Sequence, residues 1–444
     1  VDAHARWLAA FVLALGVAIS GCGKSLPSEG QGANPTVIAA VNPQGAGGLA
    51  TKNTTRLGGA DVATDAAAVS LAVYPGLTEA SRPQVVVVVD EGEWPTALAA
   101  AALAGAPLNA PLLYSSKGAL PEVSAQALKT MRPKGAAAVG GAQVIAVGAA
   151  AAAAVPTGYV VHKVTGANAY ALAAAVARLL ESVQGKPPAQ VVVSAADGPA
   201  ALAMPAAGLA AQSGVPILLV GASGVPSATS EELKRWHRPA IYVVGSTVAV
   251  SSATLGQLGR YGTTKRVVSP TGRIGPEDPV GNAIAVALFS EGSFGWGVDE
   301  PGHGLVFANA TRPLDAPAAA MLSASGQYGP LLLLEGPEGV PAVLAEYLAD
   351  IRPGYSEAPQ YRPVHGAYNH GWLIGDESAI SARTQAELDG MLEIAPSGTT
   401  STTSSSASTT ATTTTGSATE TTATTTPTST VKTTPTTSLP LPKK

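Results

Sequence analysis

Three Arg-Pro pairs recur along the chain, Arg132-Pro133, Arg238-Pro239 and Arg352-Pro353, and Lys129, Lys134, Lys234 and Arg235 thicken the first two. Guanidinium and ammonium groups make charge-assisted hydrogen bonds to phosphate and carboxylate, so such a set is suited to a polyanion. The plain alternative is that each cation closes a helix and is solvated there. A second grouping is aromatic: Tyr355, Tyr361, His365 and Tyr368, with His370 and Trp372 adjoining, in a chain with 5 % aromatics. It offers a stacking platform for sugar rings or a partner contact, against the alternative of packing on its own domain. His365 and His370 stand five apart with no third ligand in view, so the spacing does not describe a metal site. Cys22 is the one cysteine, which excludes a disulfide scaffold and a Cys-based zinc site. The sequence has no G-x-S-x-G elbow, P-loop, G-x-G-x-x-G after a strand or H-E-x-x-H. Asp90, Glu91, Glu93, Asp376 and Glu377 fall at strand ends without a recognisable catalytic pattern. No cofactor and no catalytic residue is expected.

The chain is 444 residues long, too long for one ordinary domain, and 46 % of it is apolar. Charged residues make up 13 % and the formal net charge is −4. That balance gives no basic field for nucleic acid, so an anionic ligand must be held by local groups.

Both ends read as something other than packed fold. Residues 1–21 resemble a lipoprotein signal, with Arg6 ahead of the apolar run Trp7–Ala18 and Ile19-Ser20-Gly21 before Cys22. Cys22 is therefore the expected lipidation site, with membrane attachment through its lipid. The 22–53 segment is Gly, Ser, Asn and Pro-rich without periodicity and reads as a flexible linker. From 397 to 444, 22 Thr and 9 Ser fill most of the segment, a composition expected to be disordered and to suit O-glycosylation.

Comparing the middle with itself reveals one unit written three times. The β-branched runs at 85–90, 190–194 and 304–308 read as buried parallel strands. A second strand set opens with Pro111, Pro216 and Pro330, spaced 105 and 114. A third set, 136–145, 240–250 and 371–380, runs into Gly140, Gly245 and Gly375. Pro121, Pro226 and Pro341 mark helix starts, and Thr229 with Glu232 suggests a capping box. Ala-rich helices at 96–104, 200–210 and 315–324 join the first and second strands. Such alternation gives parallel sheets with helices on their faces. The expected fold class is α/β, as three tandem Rossmann-like or flavodoxin-like parallel-sheet domains at 54–155, 156–264 and 265–396, the last with an insertion at 354–369.

The segment 54–75, TTRLGGADVATDAAAVSLAVYP, resembles the opening of the cell wall-binding repeat 2 family through Arg56, Leu57, Gly58, Gly59, Asp61 and Thr64, with Val62 and Ala63 departing from it. EGEWPTALAAA at 91–101 is similar to a later family stretch, with Thr96 where that family has Asp; the third unit keeps Asp315 there and the second has Ala. The second and third units lose most of the opening motif. The resemblance implies three domains about a pseudo-threefold axis, non-covalent binding of an anionic cell-wall polysaccharide or peptidoglycan-associated glycan, and no catalysis. It makes Arg56, Asp61 and Asp315 candidate ligand-binding residues beside Arg132, Lys134, Arg238, Arg352 and Tyr361. For Arg56 and Asp61 the alternative is a loop ion pair with Asp61 capping the helix near Val62. With the lipobox and the Ala, Gly and Pro-rich composition, it points to an extracytoplasmic protein of an actinobacterial-type envelope. The competing reading is a lipid-anchored solute-binding protein of a transporter, with two lobes and a small-molecule cleft.

Overall fold

The computed structural model describes residues 38–40, 48–270, 278–324, 329–354 and 368–394. The signal segment, Cys22, most of the 22–53 linker, most of the 354–369 insertion with Tyr361, and the 397–444 tail lie outside the described residues.

Ahead of the first repeat lie β1 (Ile38–Ala40) and β2 (Gly48–Ala50), and the repeat itself contains β3 (Thr54–Leu57), α1 (Val62–Val73), β4 (Val86–Asp90), α2 (Trp94–Ala100), β5 (Leu112–Ser115), α3 (Glu122–Met131), β6 (Val144–Val147) and α4 (Ala149–Ala154). The second runs β7 (Val161–Val164), α5 (Ala169–Gln184), β8 (Gln190–Ala195), α6 (Pro205–Ser213), β9 (Ile217–Val220), α7 (Ser227–Arg235), β10 (Ala240–Val243) and α8 (Ser252–Leu258). The third runs β11 (Thr263–Arg266), α9 (Pro279–Leu288), a hairpin of β12 (Ser290–Glu291) and β13 (Phe294–Gly295), β14 (Gly304–Asn309), α10 (Asp315–Ala324), β15 (Leu331–Leu334), α11 (Ala342–Asp350), β16 (His370–Ile374) and α12 (Ala382–Leu392).

Three sheets follow one plan, with orders β5-β4-β6-β7, β9-β8-β10-β11 and β15-β14-β16-β3. All of these pairings are parallel, and β2 and β1 extend the third sheet antiparallel. The fold is thus α/β with tandem Rossmann-like sheets. The central strands VVVVD, QVVVSA and GLVFAN are β-branched or apolar on both faces because helices cover both faces.

The strand that opens each repeat belongs to the sheet of the repeat before it. Strand β7 pairs with β6, and β11 with β10. Strand β3 pairs with β16, Thr54 opposite Gly371 through Leu57 opposite Ile374, so the first repeat completes the sheet of the third. The repeat pattern in the sequence shows three strands of each sheet and misses this fourth one. The reason is chemical: TTRL, VHKV and TTKR lie at or near sheet edges, carry polar residues and are only partly buried.

The helix after each opening strand crosses to its own repeat. Helix α1 packs on β5, α3 and α10; α5 packs on β9, α7 and α2; α9 packs on β15, α11 and α6. Helices α2 (with its 3-10 extension Ala101–Ala104), α6 and α10 occupy equivalent places and meet one another in a shared core. Their Ala content is what that meeting requires. A Cβ on Gly208 of α6 would lie 2.7 Å from the Ser323 hydroxyl of α10, so larger side chains would force the helices apart.

Two local expectations are corrected. Residues 137–139 form a 3-10 turn, not a strand, and Gly140 and Gly141 both adopt positive φ in a chain reversal. The third strand of the first repeat is β6, and Gly148 (φ +95°) is the counterpart of Gly245 (φ +118°) and Gly375 (φ +96°). Thr229 and Glu232 form no capping box: α7 starts after Pro226, the Thr229 hydroxyl donates to the Leu219 carbonyl at 2.6 Å, and Glu232 is buried against Arg178 and Arg235.

Candidate functional site

Arg56 sits on β3 with 2 % of its surface exposed. Its five N–H groups are all used. Nε and Nη2 donate to Gln385 Oε1 at 3.2 and 2.9 Å. Nη1 donates to the carbonyls of Gly375 and Asp376 at 3.0 and 2.7 Å, and Nη2 to that of Ile380 at 2.7 Å. Burial lowers its pKa, against the opposing charges of Glu377 and Asp376. The residue clamps the glycine turn after β16 to the start of the chain.

Arg266 on β11 repeats the device, bonding the carbonyls of Gly245, Ser246 and Val250 at the same offsets from the turn glycine. In the first sheet Lys163 takes the equivalent register position and is exposed. There α4 starts directly after Gly148, and helical hydrogen bonds take up turn carbonyls. Arg266 was not among the sequence candidates, although TTKR at 263–266 mirrors TTR at 54–56.

Asp61 is the exposed N-cap of α1, accepting from the Thr64 amide at 2.9 Å and the Thr64 hydroxyl at 3.0 Å. Asn168 and Asp278 cap α5 and α9 in the same way, so the cap outlasts the rest of the opening motif.

Asp315, at the start of α10, is buried and forms part of a charged cluster between the first and third repeats. Arg312 Nε donates to Asp315 Oδ2 at 2.8 Å, and Arg312 Nη2 pairs with Asp65 on α1. Asp65 Oδ1 also accepts from the Gly59 amide at 2.7 Å. Both carboxylates are fully buried. Burial first, and then the charge of Asp315, push Asp65 up to about 8. Desolvation also raises Asp315, against the pull of Arg312. At neutral pH the pair therefore holds a proton, and Arg312 balances the remaining charge. Neither Asp65 nor Arg312 was anticipated. The available signal was an Asp four residues past a cap on an Ala-rich helix face, and an Arg three residues ahead of Asp315.

The basic set lies at the other end of the sheets, because α3, α7 and α11 run antiparallel to the strands they precede. Arg132 is a left-handed C-cap (φ +47°) whose guanidinium bonds the Gly76 carbonyl, while its own carbonyl accepts from Arg82 Nε at 2.7 Å. Lys134 Nζ reaches the Glu79 carbonyl at 3.4 Å. Arg238 is exposed, with φ +67°. Arg352 is exposed and donates to the Glu393 carbonyl at 3.1 Å. The structure therefore separates the sequence candidates: Arg56, Asp61 and Asp315 gather at the carboxyl ends of the third sheet's strands, and the basic set gathers at the amino ends. Of the aromatic group, Tyr368 is exposed, and His370 packs edge-on to Trp372 with its Nε2 3.1 Å from the Thr55 hydroxyl. Among the described residues no group of His, Cys, Asp and Glu could hold a metal ion, and no helix is long and apolar enough to cross a membrane.

Comparison with solved structures finds the same fold in Cwp6 from Clostridium difficile, with 19 % identity, a TM-score of 0.56, 77 % of this chain covered and 49 % of that one. Cwp8 from Clostridium difficile gives 18 % identity, a TM-score of 0.56 and coverages of 77 % and 52 %. This chain thus spans about half the length of either. No curated protein sequence matches it. Residues 163–255 match the family model described as "Cell wall binding domain 2 (CWB2)", and they lie in the second repeat, whose opening departs from the motif seen at 54–75. The match in the second repeat is thus to the same family that the sequence of the first repeat resembles.

Proposed function

We propose that this chain is a non-catalytic, lipid-anchored protein of the cell envelope that binds cell-wall polymer. The repeats 54–155, 156–264 and 265–396 are its three wall-binding modules. The observation that carries this reading is the cell wall binding domain 2 match within a chain that repeats one α/β plan three times. The polymer is an anionic polysaccharide or peptidoglycan-associated glycan. Arg132, Lys134, Arg238 and Arg352 contact it, since equivalent helix ends present a cation in each repeat and phosphate or carboxylate groups recur along such a polymer. Arg56 and Asp315, at the opposite ends of the strands, act by holding the repeats together, Asp61 is exposed at that same far end, and Tyr361 offers a ring for stacking. The lipid on Cys22 holds the protein at the outer face of the membrane.

The test is retention of the purified chain on isolated cell walls. The wild type is expected to sediment with the walls and to be released by salt, and the double variant R132E/R238E to remain in solution while still unfolding cooperatively. Equal retention of both would remove the basic set from the reading, and no retention of the wild type would overturn the reading itself. Anchoring is tested separately: Cys22→Ala is expected to leave the membrane fraction.

A further inference from the structure

The three sheets differ most where their strands end. By strand register Asp90, Ala195 and Asn309 are equivalent, each level with the turn glycine of the neighbouring strand. Three residues on come Glu93, Gly198 and Arg312, and six residues on come Thr96, Ala201 and Asp315. In the third repeat the guanidinium of Arg312 fills this place, held by Asp315 and Asp65. In the first repeat the same place is a cleft of about 210 Å³, lined by Asp90, Glu93, Thr96, Gly148, Asn168 and Leu172 among others, with no Lys or Arg in its lining. Asp90 is partly held by Ser115 and the Gly92 amide. Glu93 is exposed at the mouth. Thr96 is 1 % exposed, and its hydroxyl has no hydrogen-bond partner. A buried hydroxyl without a partner costs about 1–3 kcal/mol, so this one is set to meet a group from outside.

We propose that this cleft binds an alkylguanidinium or alkylammonium group in the place that the guanidinium of Arg312 fills in the third repeat, with Asp90 and Glu93 supplying the carboxylates where Thr96 and Leu172 stand for Asp315 and Asp65. The cation lies between the carboxylates of Asp90 and Glu93, and Thr96 Oγ1 accepts one of its N–H groups. An anion is excluded by the same two carboxylates. The inference does not depend on the wall-binding reading.

The experiment is a calorimetric titration of the full chain with agmatine at low ionic strength. Saturable one-to-one binding is expected. Glu93→Gln should weaken it about tenfold, the loss of one charge-assisted contact. Thr96→Val, close in shape, should also weaken it. Glu387→Gln, on the surface of α12, should leave it unchanged. Competition by an amine-bearing wall fragment that is lost on N-acetylation would assign the amine to a polymer, and agmatine binding without such competition would assign it to a free small cation. No saturable binding, or equal binding by wild type and Glu93→Gln, would overturn the proposal.

Discussion

Asp65→Asn tests the buried proton between the first and third repeats. In the folded chain Asp65 titrates at about 8, against 3.8 for the ordinary carboxyl. Between these values the folded state binds a proton that the unfolded chain has released. Stability is therefore fully present below pH 4, falls as pH rises towards 8, and changes little from this source above 8. Each pH unit in that window is worth about 1.36 kcal/mol, so the loss between pH 5 and pH 7 is on the order of 3 kcal/mol. Asn cannot ionise, keeps an oxygen for the Gly59 amide and an N–H for Asp315. It is the residue that the third repeat already carries at the equivalent position, Asn282. The assay is chemical denaturation of wild type and variant at pH 5, 6, 7 and 8. The wild type should lose stability with pH more steeply than the variant, by on the order of 1 kcal/mol per unit. Parallel pH profiles for the two proteins would refute a proton held between Asp65 and Asp315.

Further perturbations probe the clamp, the central packing and the closure. Arg56→Met removes five donated hydrogen bonds and leaves buried carbonyls without a partner, so denaturation should report a loss of about 3–5 kcal/mol. Gly208→Val places atoms where Ser323 already lies and should cost about 1–3 kcal/mol by thermal unfolding, with the loss reduced when Ser323→Gly is added. A circular permutant that joins residue 394 to residue 51 through a flexible linker and opens the chain at 157–158 should fold with a native circular dichroism spectrum, because β3 then still reaches β16. Failure of that permutant alone, with the unpermuted 51–394 chain folding, would contradict the closure.

How much was legible beforehand follows from where the information sits. The central strands announce themselves because burial on both faces demands unbroken β-branched runs, as in VVVVD and QVVVSA. Helix starts at Pro121, Pro226 and Pro341 are equally plain, since each proline stands at the N-cap of its helix. The opening strands were hidden because their partners lie in another repeat and local pattern carries no record of that pairing. Arg56 was legible as a site residue, but its role was not. An arginine whose five donors all meet the chain's own oxygens reads the same in sequence as one aimed at a ligand. The Asp65–Arg312–Asp315 cluster joins residues about 250 apart, and no spacing rule reaches that far.

The exchange of opening strands also explains why the copies have diverged unevenly. Each sheet needs the next repeat's strand, and each opening helix rests on the previous repeat's Ala-rich helix, so no repeat completes its own core. Whatever holds a junction together is then free to vary, provided that the strand and the helix stay paired. One junction is held by a guanidinium and two carboxylates, the next sets Leu172 against Thr96, and the last uses Asn282, whose amide donates to the Leu202 carbonyl at 2.9 Å. Two polar groups at these junctions go unmatched: the Thr96 hydroxyl and Asn282 Oδ1 are buried without a partner at positions equivalent to Asp315 and Asp65. A motif read along the sequence weakens from the first copy to the third, while the pairing it once encoded persists in all three.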